Sequence, residues 1–353
     1  MRGQPFGLVR GAVLAAAFLC FGLPASAGTP DGLPAYLREM QEDAELTDVA
    51  FADARHGWAV GDRGAIYATA DGGKHWRLQT SGVACRLASV QFLDADNGWA
   101  AGGVFYPYTH TSRGVLLRTR DGGKSWAQDK GLMLPSLKRV KFFNSKLGWA
   151  FGESSALFPS GVFATDNGGR TWSPVEGQPA GGWLSADFLD AHAGAIAGRD
   201  GSLAAIRRRG LQAARTPGFG PRGLNRMKFS GDTTGWLVGD GGLVLTSGDA
   251  GMSWQLPESN PTTRVGGDFD WQALEARGPR IWVAGSPGTK VLASEDGGKS
   301  WQAYATGQNL PLYSLAFADN LHGWAVGALG TILATSDGGR NWQRQRSGGT
   351  RAA

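Results

Sequence analysis

Carboxylates recur along this chain in one short pattern, Ser/Thr-x-Asp-x-Gly-x-x-Trp, and they are the first residues that could do chemistry. Acidic side chains that converge can bind a divalent cation or act as general acid and base. The acidic position is filled by Asp71, Asp121, Asn167, Asp249, Asp296 and Asp337. One copy is an asparagine, which a metal ligand or a catalytic acid would not readily allow. We therefore expect structural turns, in which the side chain accepts backbone N–H groups.

The turn pattern belongs to a longer phrase that begins with Gly-Trp-Ala-Val-Gly, as in residues 56–76 and 322–342. The tryptophans of its first half are Trp58, Trp99, Trp149, Trp236, Trp282 and Trp324. They are separated by 41, 50, 87, 46 and 42 residues, and the interval of 87 contains a further copy at residues 194–198. The phrase is therefore present seven times.

Each copy carries four short apolar runs, and the first alternates as a half-buried strand does, as in Val49-Ala50-Phe51. A four-stranded unit of this length, repeated seven times, predicts an all-β, seven-bladed β-propeller. The first and last copies are the most alike, as expected if they meet in a ring. The fourth blade is degenerate, because residues 206–210 read Ile-Arg-Arg-Arg-Gly where the turn pattern belongs. The role of Arg207–Arg209 and the way in which the ring closes stay open.

The N-terminal segment has the features of an export signal. Residues 1–27 combine Arg2 and Arg10, an apolar stretch and a small-residue cleavage site that ends at Ala27. We expect residues 28–45 to be a linker with a short helix, residues 46–349 to be the propeller, and residues 350–353 to be a tail. Cleavage lowers the net charge from +5 to +3, which argues against a nucleic-acid partner. The expected product is an exported monomer of the periplasm or an equivalent lumen, without stable membrane insertion.

The whole repeat phrase resembles the photosystem II stability/assembly factor family. The resemblance rests on Phe-x-Asp-x-x-x-Gly-Trp-Ala-Val-Gly, Gly-x-Ile-Tyr/Leu-x-Thr and Asp-Gly-Gly-x-x-Trp, and it covers residues 46–349. It implies an exported seven-bladed propeller that assists the assembly or support of a membrane complex without catalysis. It also implies a protein partner, such as a subunit of that complex or an exporter.

Length variation among the repeats points to one face for recognition. Connections after the second and fourth strands vary, whereas those after the first and third are uniform, and variable loops on a rigid scaffold often carry function. On the variable face we expect a basic, partner-binding patch of Arg86, Lys138, Arg139, Arg222, Arg226 and Arg264. A second partner-binding element is the aromatic loop with Phe105, Tyr106 and Tyr108. Scattered solvated charge and packing of the loop on its own blade are the alternatives.

Two other functions stay open beside the partner-binding hypothesis. A sialidase-like glycoside hydrolase would use a tyrosine nucleophile paired with an acid, and Tyr313 begins an inner strand. Inward carboxylates at such positions are few, with Asp48 and Asp187 as candidates, so we predict no catalytic residues. A carbohydrate-binding module is the third possibility. His56 and His322 bring no third ligand into view, so we predict neither a metal site nor a cofactor.

Overall fold

The computed structural model describes residues 40–109, 111–177, 181–207, 210–231, 233–265 and 268–346. Their strands form seven antiparallel sheets, each made from one repeat unit. Blade one contains β1 (Leu46–Phe51), β2 (Gly57–Gly61), β3 (Ile66–Thr69) and β4 (Arg77–Gln79). Blade two contains β5 (Arg86–Phe92), β6 (Gly98–Tyr106), β7 (Thr111–Thr119) and β8 (Ala127–Gln128). Blade three contains β9 (Leu137–Phe142), β10 (Gly148–Gly152), β11 (Val162–Thr165) and β12 (Ser173–Pro174).

The remaining blades follow the same plan. Blade four contains β13 (Trp183–Asp190), β14 (Ala193–Gly198), β15 (Leu203–Arg207) and β16 (Gly210–Ala213). Blade five contains β17 (Leu224–Phe229), β18 (Gly235–Gly239) and β19 (Val244–Ser247), and its outer strand is reduced to a bridge between Thr246 and Gln255. Blade six contains β20 (Asp270–Arg277), β21 (Arg280–Ser286), β22 (Lys290–Ser294) and β23 (Gln302–Ala305). Blade seven contains β24 (Leu312–Phe317), β25 (Gly323–Gly327), β26 (Ile332–Thr335) and β27 (Gln343–Arg346).

Successive inner strands are neighbours, and β1 also lies against β24, so the seven sheets close into a ring. The predicted seven-bladed propeller is confirmed. Residues 40–42 are helical and blade seven supplies its own four strands, so closure in the described residues uses no strand exchanged between the termini. Instead, Trp324 Nε1 donates to Gly72 O at 3.2 Å, and Arg346 donates to Glu42 O at 2.8 Å. Short 3₁₀ turns occur at Asp62–Gly64, Asp240–Gly242, Pro261–Arg264 and Ala328–Gly330.

The repeated Gly-Trp phrase builds the packing between blades. Phe51 of blade one stacks on Trp324 of blade seven, with ring centroids 3.5 Å apart, and meets the edge of Trp76 at 6.0 Å. A Cβ atom at Gly57 would lie 2.3 Å from the Phe51 ring, so only glycine lets that ring cross the neighbouring strand. Aromatic groups packed in this way bury large apolar areas. The repeated Gly-Trp phrase therefore marks the positions where neighbouring blades contact each other.

Two expectations about local structure need adjustment. Residues 103–113, which we expected to be a loop, are mostly a regular hairpin, because β6 and β7 stay paired as far as Tyr106 and Thr111. Blade four keeps four strands although its turn pattern is missing, since β15 pairs directly with β16. The signal segment, residues 28–39 of the linker, His110, Arg208, Arg209 and the tail lie outside the described residues.

Candidate functional site

The connections between strands lie on two opposite faces of the ring. Those after the first and third strands share one face, and those after the second and fourth share the other. Gly72 of the first Asp-box donates its N–H to Arg55 O at 3.0 Å, which places the Asp-box beside the turn after the inner strand. On the opposite face, Gly64 of the second connection donates to Cys85 O, in the segment that leads to blade two. We call these the Asp-box face and the loop face. Recognition elements on the variable connections belong to the loop face.

The Asp-box carboxylates are occupied by their own turns. Asp296 Oδ1 accepts from Ser294 Oγ at 2.8 Å and from the N–H of Ser300 at 2.9 Å, while its Oδ2 accepts from Ser300 Oγ. Asn167 makes the matching contacts, and its Nδ2 donates to Thr171 Oγ1 at 2.6 Å. The copies face their own backbones and do not converge. Among the described residues no cluster of three potential metal ligands occurs.

Hydrogen bonds to the charged form lower the pKa of the Asp-box aspartates. For Asp296 the side chain of Ser300 is the largest cause, followed by the N–H of the same residue, and the pKa falls from 3.8 to about 2. For Asp71 the N–H of His75 is the largest cause, and the pKa also falls. Because these values lie below those of the unfolded chain, the carboxylates stabilise the fold above about pH 4 and lose that effect as the pH falls through the folded pKa.

Acid sensitivity should therefore weaken when Asp-box aspartates become asparagines. We expect a variant with Asp121→Asn, Asp249→Asn and Asp296→Asn to keep its fold, because Asn167 already works at the same position. Thermal unfolding followed from pH 7 to pH 2 should show a smaller fall in midpoint below pH 4 than in the wild-type chain. Asn167→Asp should act in the opposite direction. Parallel curves for all three proteins would contradict this assignment.

The centre of the ring holds a charged cluster that joins blades one, three, five and seven. Asp48 of β1 accepts from Arg139 of β9 at 2.9 Å and from Arg226 of β17 at 2.7 Å. Ser314 of β24 donates to the same carboxylate at 2.8 Å, and Val90 N–H of the adjacent blade donates at 3.0 Å. The Asp48 side chain is 5% exposed, and the arginines are 15% and 14% exposed. We call Asp48, Arg139, Arg226 and Ser314 the axial cluster.

The axial cluster carries two guanidinium groups against one carboxylate, so its formal charge is positive. Within the described part of the chain, Arg139 Nε and Arg226 Nη1 are buried without a hydrogen-bond partner. Arg139 and Arg226 are thus part of the predicted basic patch, but Asp48 fixes them near the axis. Sequence reasoning recognised Asp48 as an inward carboxylate and did not connect it to these arginines.

Two other predicted basic residues, Arg86 and Lys138, lie at the starts of the inner strands β5 and β9. Arg86 pairs with Asp62 at 3.0 Å and with Glu45 at 3.4 Å. Lys138 lies 3.7 Å from Glu153, which also pairs with Arg199 at 3.1 Å. Burial lowers the pKa of Lys138, and the charge of Glu153 opposes that change. These cations are therefore already balanced by local carboxylates.

Two members of the predicted patch stand apart. Arg222 precedes β17, and its Nη1 lies 3.5 Å from Asp240 O, at the turn after β18. Arg264 ends the 3₁₀ turn before β20, and its side chain lies outside the described residues. The six predicted basic residues thus fall into the axial pair, the pair Arg86 and Lys138 at the starts of their inner strands, and two separate positions.

The aromatic hairpin leaves its apolar side chains in solvent. Phe105 is 56% exposed and Tyr108 is 98% exposed, while Tyr106 is partly buried. Met133, between β8 and β9, and Leu157, between β10 and β11, are each 83% exposed on the same face. Sequence reasoning missed Met133 and Leu157, because a single apolar residue in a connection carries no pattern. We call Phe105, Tyr108, Met133 and Leu157 the apolar rim of blades two and three.

Tyr313 is the residue that the sequence offered as a nucleophile for glycoside hydrolysis. Its hydroxyl lies 3.4 Å from Glu45 Oε1, so a tyrosine and a carboxylate do meet at the channel mouth. Burial is the largest cause that raises the Tyr313 pKa, and the charge of Glu45 raises it further. A nucleophilic tyrosine needs the opposite shift, because the phenolate is the reactive form.

Comparison with known proteins agrees with the repeat phrase. The family model described as "Photosynthesis system II assembly factor YCF48" matches residues 36–107 and 222–313. The chain is 29% identical over 339 residues to the photosystem II assembly lipoprotein Ycf48 of Picosynechococcus, covering 91% of this chain and 93% of that protein. The family model and this relative support a photosystem II assembly factor-like family. Another relative, photosystem II assembly protein Ycf48 of Synechococcus, is 28% identical over 308 residues, which are 81% of this chain and 84% of that protein.

Solved structures of this family share the fold. A structure described as YCF48 bound to D1 peptide has a TM-score of 0.65 at 22% identity and covers 83% of this chain and 93% of that one. YCF48 from Cyanidioschyzon merolae has a TM-score of 0.64 at 20% identity, covering 83% and 96%. The GH74 xyloglucanase from Xanthomonas campestris also reaches 0.65, at 18% identity, covering 87% of this chain and 55% of that enzyme. Identities this low show the propeller fold alone, so the support for the family comes from the family model and the sequence relatives.

Proposed function

We propose that this propeller is a non-catalytic assembly factor that binds a protein partner on its loop face. The observation that carries the proposal is the apolar rim, an exposed set of large side chains on the loop face, in a chain that a model of the assembly factor family matches in part. Aromatic residues and methionine are favoured at the centres of protein interfaces. The partner that fits is a subunit of a membrane complex, since the relatives are named as photosystem II assembly proteins.

The charged residues of the loop face suit reversible recognition of an acidic segment. The pairs of Arg86 with Glu45 and of Lys138 with Glu153 are partly exposed, so each is worth little to stability and can exchange partners. An acidic segment of the partner can replace these carboxylates, while Arg222 and Arg264 extend the positive field. The axial arginines add positive charge at the centre of the ring, where Asp48 holds them in place.

The proposed place of action is the periplasm or an equivalent lumen. Residues 1–27 have the order of an export signal, and one relative is named a lipoprotein. We propose that the mature protein acts there as a monomer. None of the helical segments in the described residues has the length and apolar character needed to cross a bilayer.

The test is quantitative capture of membrane-complex subunits from detergent-solubilised host membranes. One variant combines Phe105→Ala, Tyr108→Ala and Met133→Ala, and another combines Arg86→Glu with Lys138→Glu. We expect each to reduce the subunits enriched by the wild-type chain at least tenfold. The apolar variant should also keep its thermal midpoint, because its side chains are exposed. Lys124→Glu with Lys299→Glu, two exposed positions on the Asp-box face, is the matched control.

Equal capture by the loop-face variants and the control would contradict the proposal. The competing glycosidase hypothesis has its own readout, which is turnover of sialosides or glucans by the purified chain. Turnover that disappears in Tyr313→Phe would replace an assembly role with catalysis. Saturable glycan binding without turnover would favour the carbohydrate-binding module.

A further inference from the structure

The repeat is broken in blade four, and the strand register shows what is missing. Thr69 pairs with Gly57, and seven residues, 70–76, connect β3 to β4. Ile206 pairs with Gly194 in the same way, but β16 begins at Gly210. Leu211 pairs with Ile206 and therefore occupies the position that Trp76 holds in blade one. Blade four has replaced the Asp-box turn and its tryptophan with a tight hairpin and a leucine.

Where the Asp-box is present, it fills the space against the preceding blade. Trp126 of blade two donates through Nε1 to Gln79 Oε1 of blade one at 3.1 Å. In return, Gly122 O in the same Asp-box accepts from Trp58 Nε1 and from Gln79 Nε2, both at 3.0 Å. Blades seven and one repeat this exchange with Trp76, Gln345, Gly72 and Trp324.

At the junction of blades three and four, the described residues leave the same space open. Val175 stands where the partner glutamine would be, and Trp149 Nε1 donates to Ala191 O at 3.1 Å instead of an Asp-box glycine. Phe143 covers the inner part, because its ring meets Phe188 edge-on at 5.3 Å. Outside it lies a groove of about 410 Å³, a size found among small-ligand sites, with Trp149, Pro174 and Val175 on one wall and Ala191 and Gly210 on the other.

The rim of this groove is acidic. Asp166, Glu176 and His192 line it. A regular junction shows what such a carboxylate does: Glu295 of blade six accepts from Arg340 of the blade-seven Asp-box at 2.9 Å. Asp166 follows Thr165 as Glu295 follows Ser294, so it is the equivalent carboxylate of blade three. The groove thus retains the carboxylate that accepts an arginine at a regular junction. The Asp-box that would supply the arginine is missing from blade four.

We propose that this groove binds a turn of a partner polypeptide that carries a tryptophan and a nearby arginine. The indole enters between Trp149 and Gly210, and the guanidinium pairs with Asp166. The occupant follows from the chain itself, because an Asp-box turn with this chemistry fills the equivalent space at the regular junctions. The site lies on the Asp-box face, so it is a second binding surface, separate from the loop face.

The test uses a peptide that copies the blade-seven Asp-box, residues 336–345, with an N-terminal fluorophore. Fluorescence polarisation should show saturable binding to the purified chain. Binding should fall at least tenfold when the peptide carries Trp342→Ala, and several-fold when it carries Arg340→Ala. In the protein, Leu211→Trp places an indole at the position that Trp76 holds in blade one. This side chain should occupy the groove and abolish peptide binding, while the thermal midpoint of the protein stays the same or rises.

His192→Trp, at an exposed position on the groove wall, is a second blocking variant if Leu211→Trp does not fold. The loop-face variants described above should bind the peptide as the wild-type chain does, which separates this proposal from the proposed function. Absence of binding, equal binding of the Trp342→Ala peptide, or full binding by both blocking variants would overturn it. Glucan oligosaccharides that bind and are blocked by Leu211→Trp, with no peptide binding, would assign the groove to a sugar instead.

Discussion

Replacing Asp48 with asparagine is expected to lower the free energy of unfolding by about 3–5 kcal/mol, because it leaves two buried arginines without their counterion. Asparagine keeps the shape and the oxygen that accepts from Val90 N–H, so the loss is mainly one of charge. Arg139 and Arg226 are each at most 15% exposed, so solvent compensates little for the lost carboxylate. Chemical denaturation of the mature chain, followed by tryptophan fluorescence, measures the change.

A matched variant separates two effects on the free energy of unfolding. One is the penalty for leaving buried arginines unpaired, and the other is the net contribution of the axial cluster. Asp48→Asn, Arg139→Met and Arg226→Met together remove all three charges while the asparagine oxygen still accepts from Val90 N–H, and apolar replacement of buried ionic groups is often neutral or stabilising. We expect this triple variant to unfold at or above the wild-type denaturant concentration. If Asp48→Asn loses less than about 1 kcal/mol, the axial cluster is solvated in solution and does not hold the blades together.

The fold was predictable because its signals are local. The Asp-box turn, the glycine that admits Phe51 and the Gly-Trp phrase each depend on residues close in sequence, and they repeat at a nearly constant interval. The seven-fold count followed from the spacing of six tryptophans together with the further copy at residues 194–198. The short outer strand of blade five could not be foreseen, because Trp254 keeps its pattern although the pairing behind it shrinks to one bridge.

The axial cluster was not predictable, because its contacts are distant in sequence. Asp48 and Arg226 are 178 residues apart, and their meeting depends on the diameter of the ring and the direction of each inner strand. The sequence placed both at the starts of inner strands. It gave no means of seeing that one carboxylate reaches arginines of two other blades.

The groove was predictable only in part. The missing Asp-box was visible in the sequence, and Arg207–Arg209 were the residues that marked the change. In the structure Arg207 donates to Ala250 O of blade five at 3.0 Å, so it contributes to the junction between blades four and five. What the sequence could not show is that blade three retains Trp149 and Asp166 in a receiving arrangement, since only the strand register aligns blades three and four with their neighbours.

Truncation of Trp282 to alanine is expected to lower the free energy of unfolding by about 3–5 kcal/mol, as for other large buried aromatics. Trp282 is 1% exposed, stacks on Phe317 with centroids 3.8 Å apart, and donates Nε1 to Gly338 O at 2.8 Å. The substitution removes the stacked ring, leaves a cavity between blades six and seven, and deprives a buried carbonyl of its donor. Denaturant midpoints at constant slope measure the loss.

Trp149→Ala is the matched control, because Trp149 holds the same position in blade three but borders the groove. It is 9% exposed, and its ring is tilted by 39° from Phe188 at 5.5 Å. Its removal costs less than that of Trp282, since water or neighbouring side chains can enter from the groove and the residual cavity is smaller. Equal losses at the two positions would mean that the junction of blades three and four is as tightly closed as the others, and that the broken repeat leaves no space for a ligand.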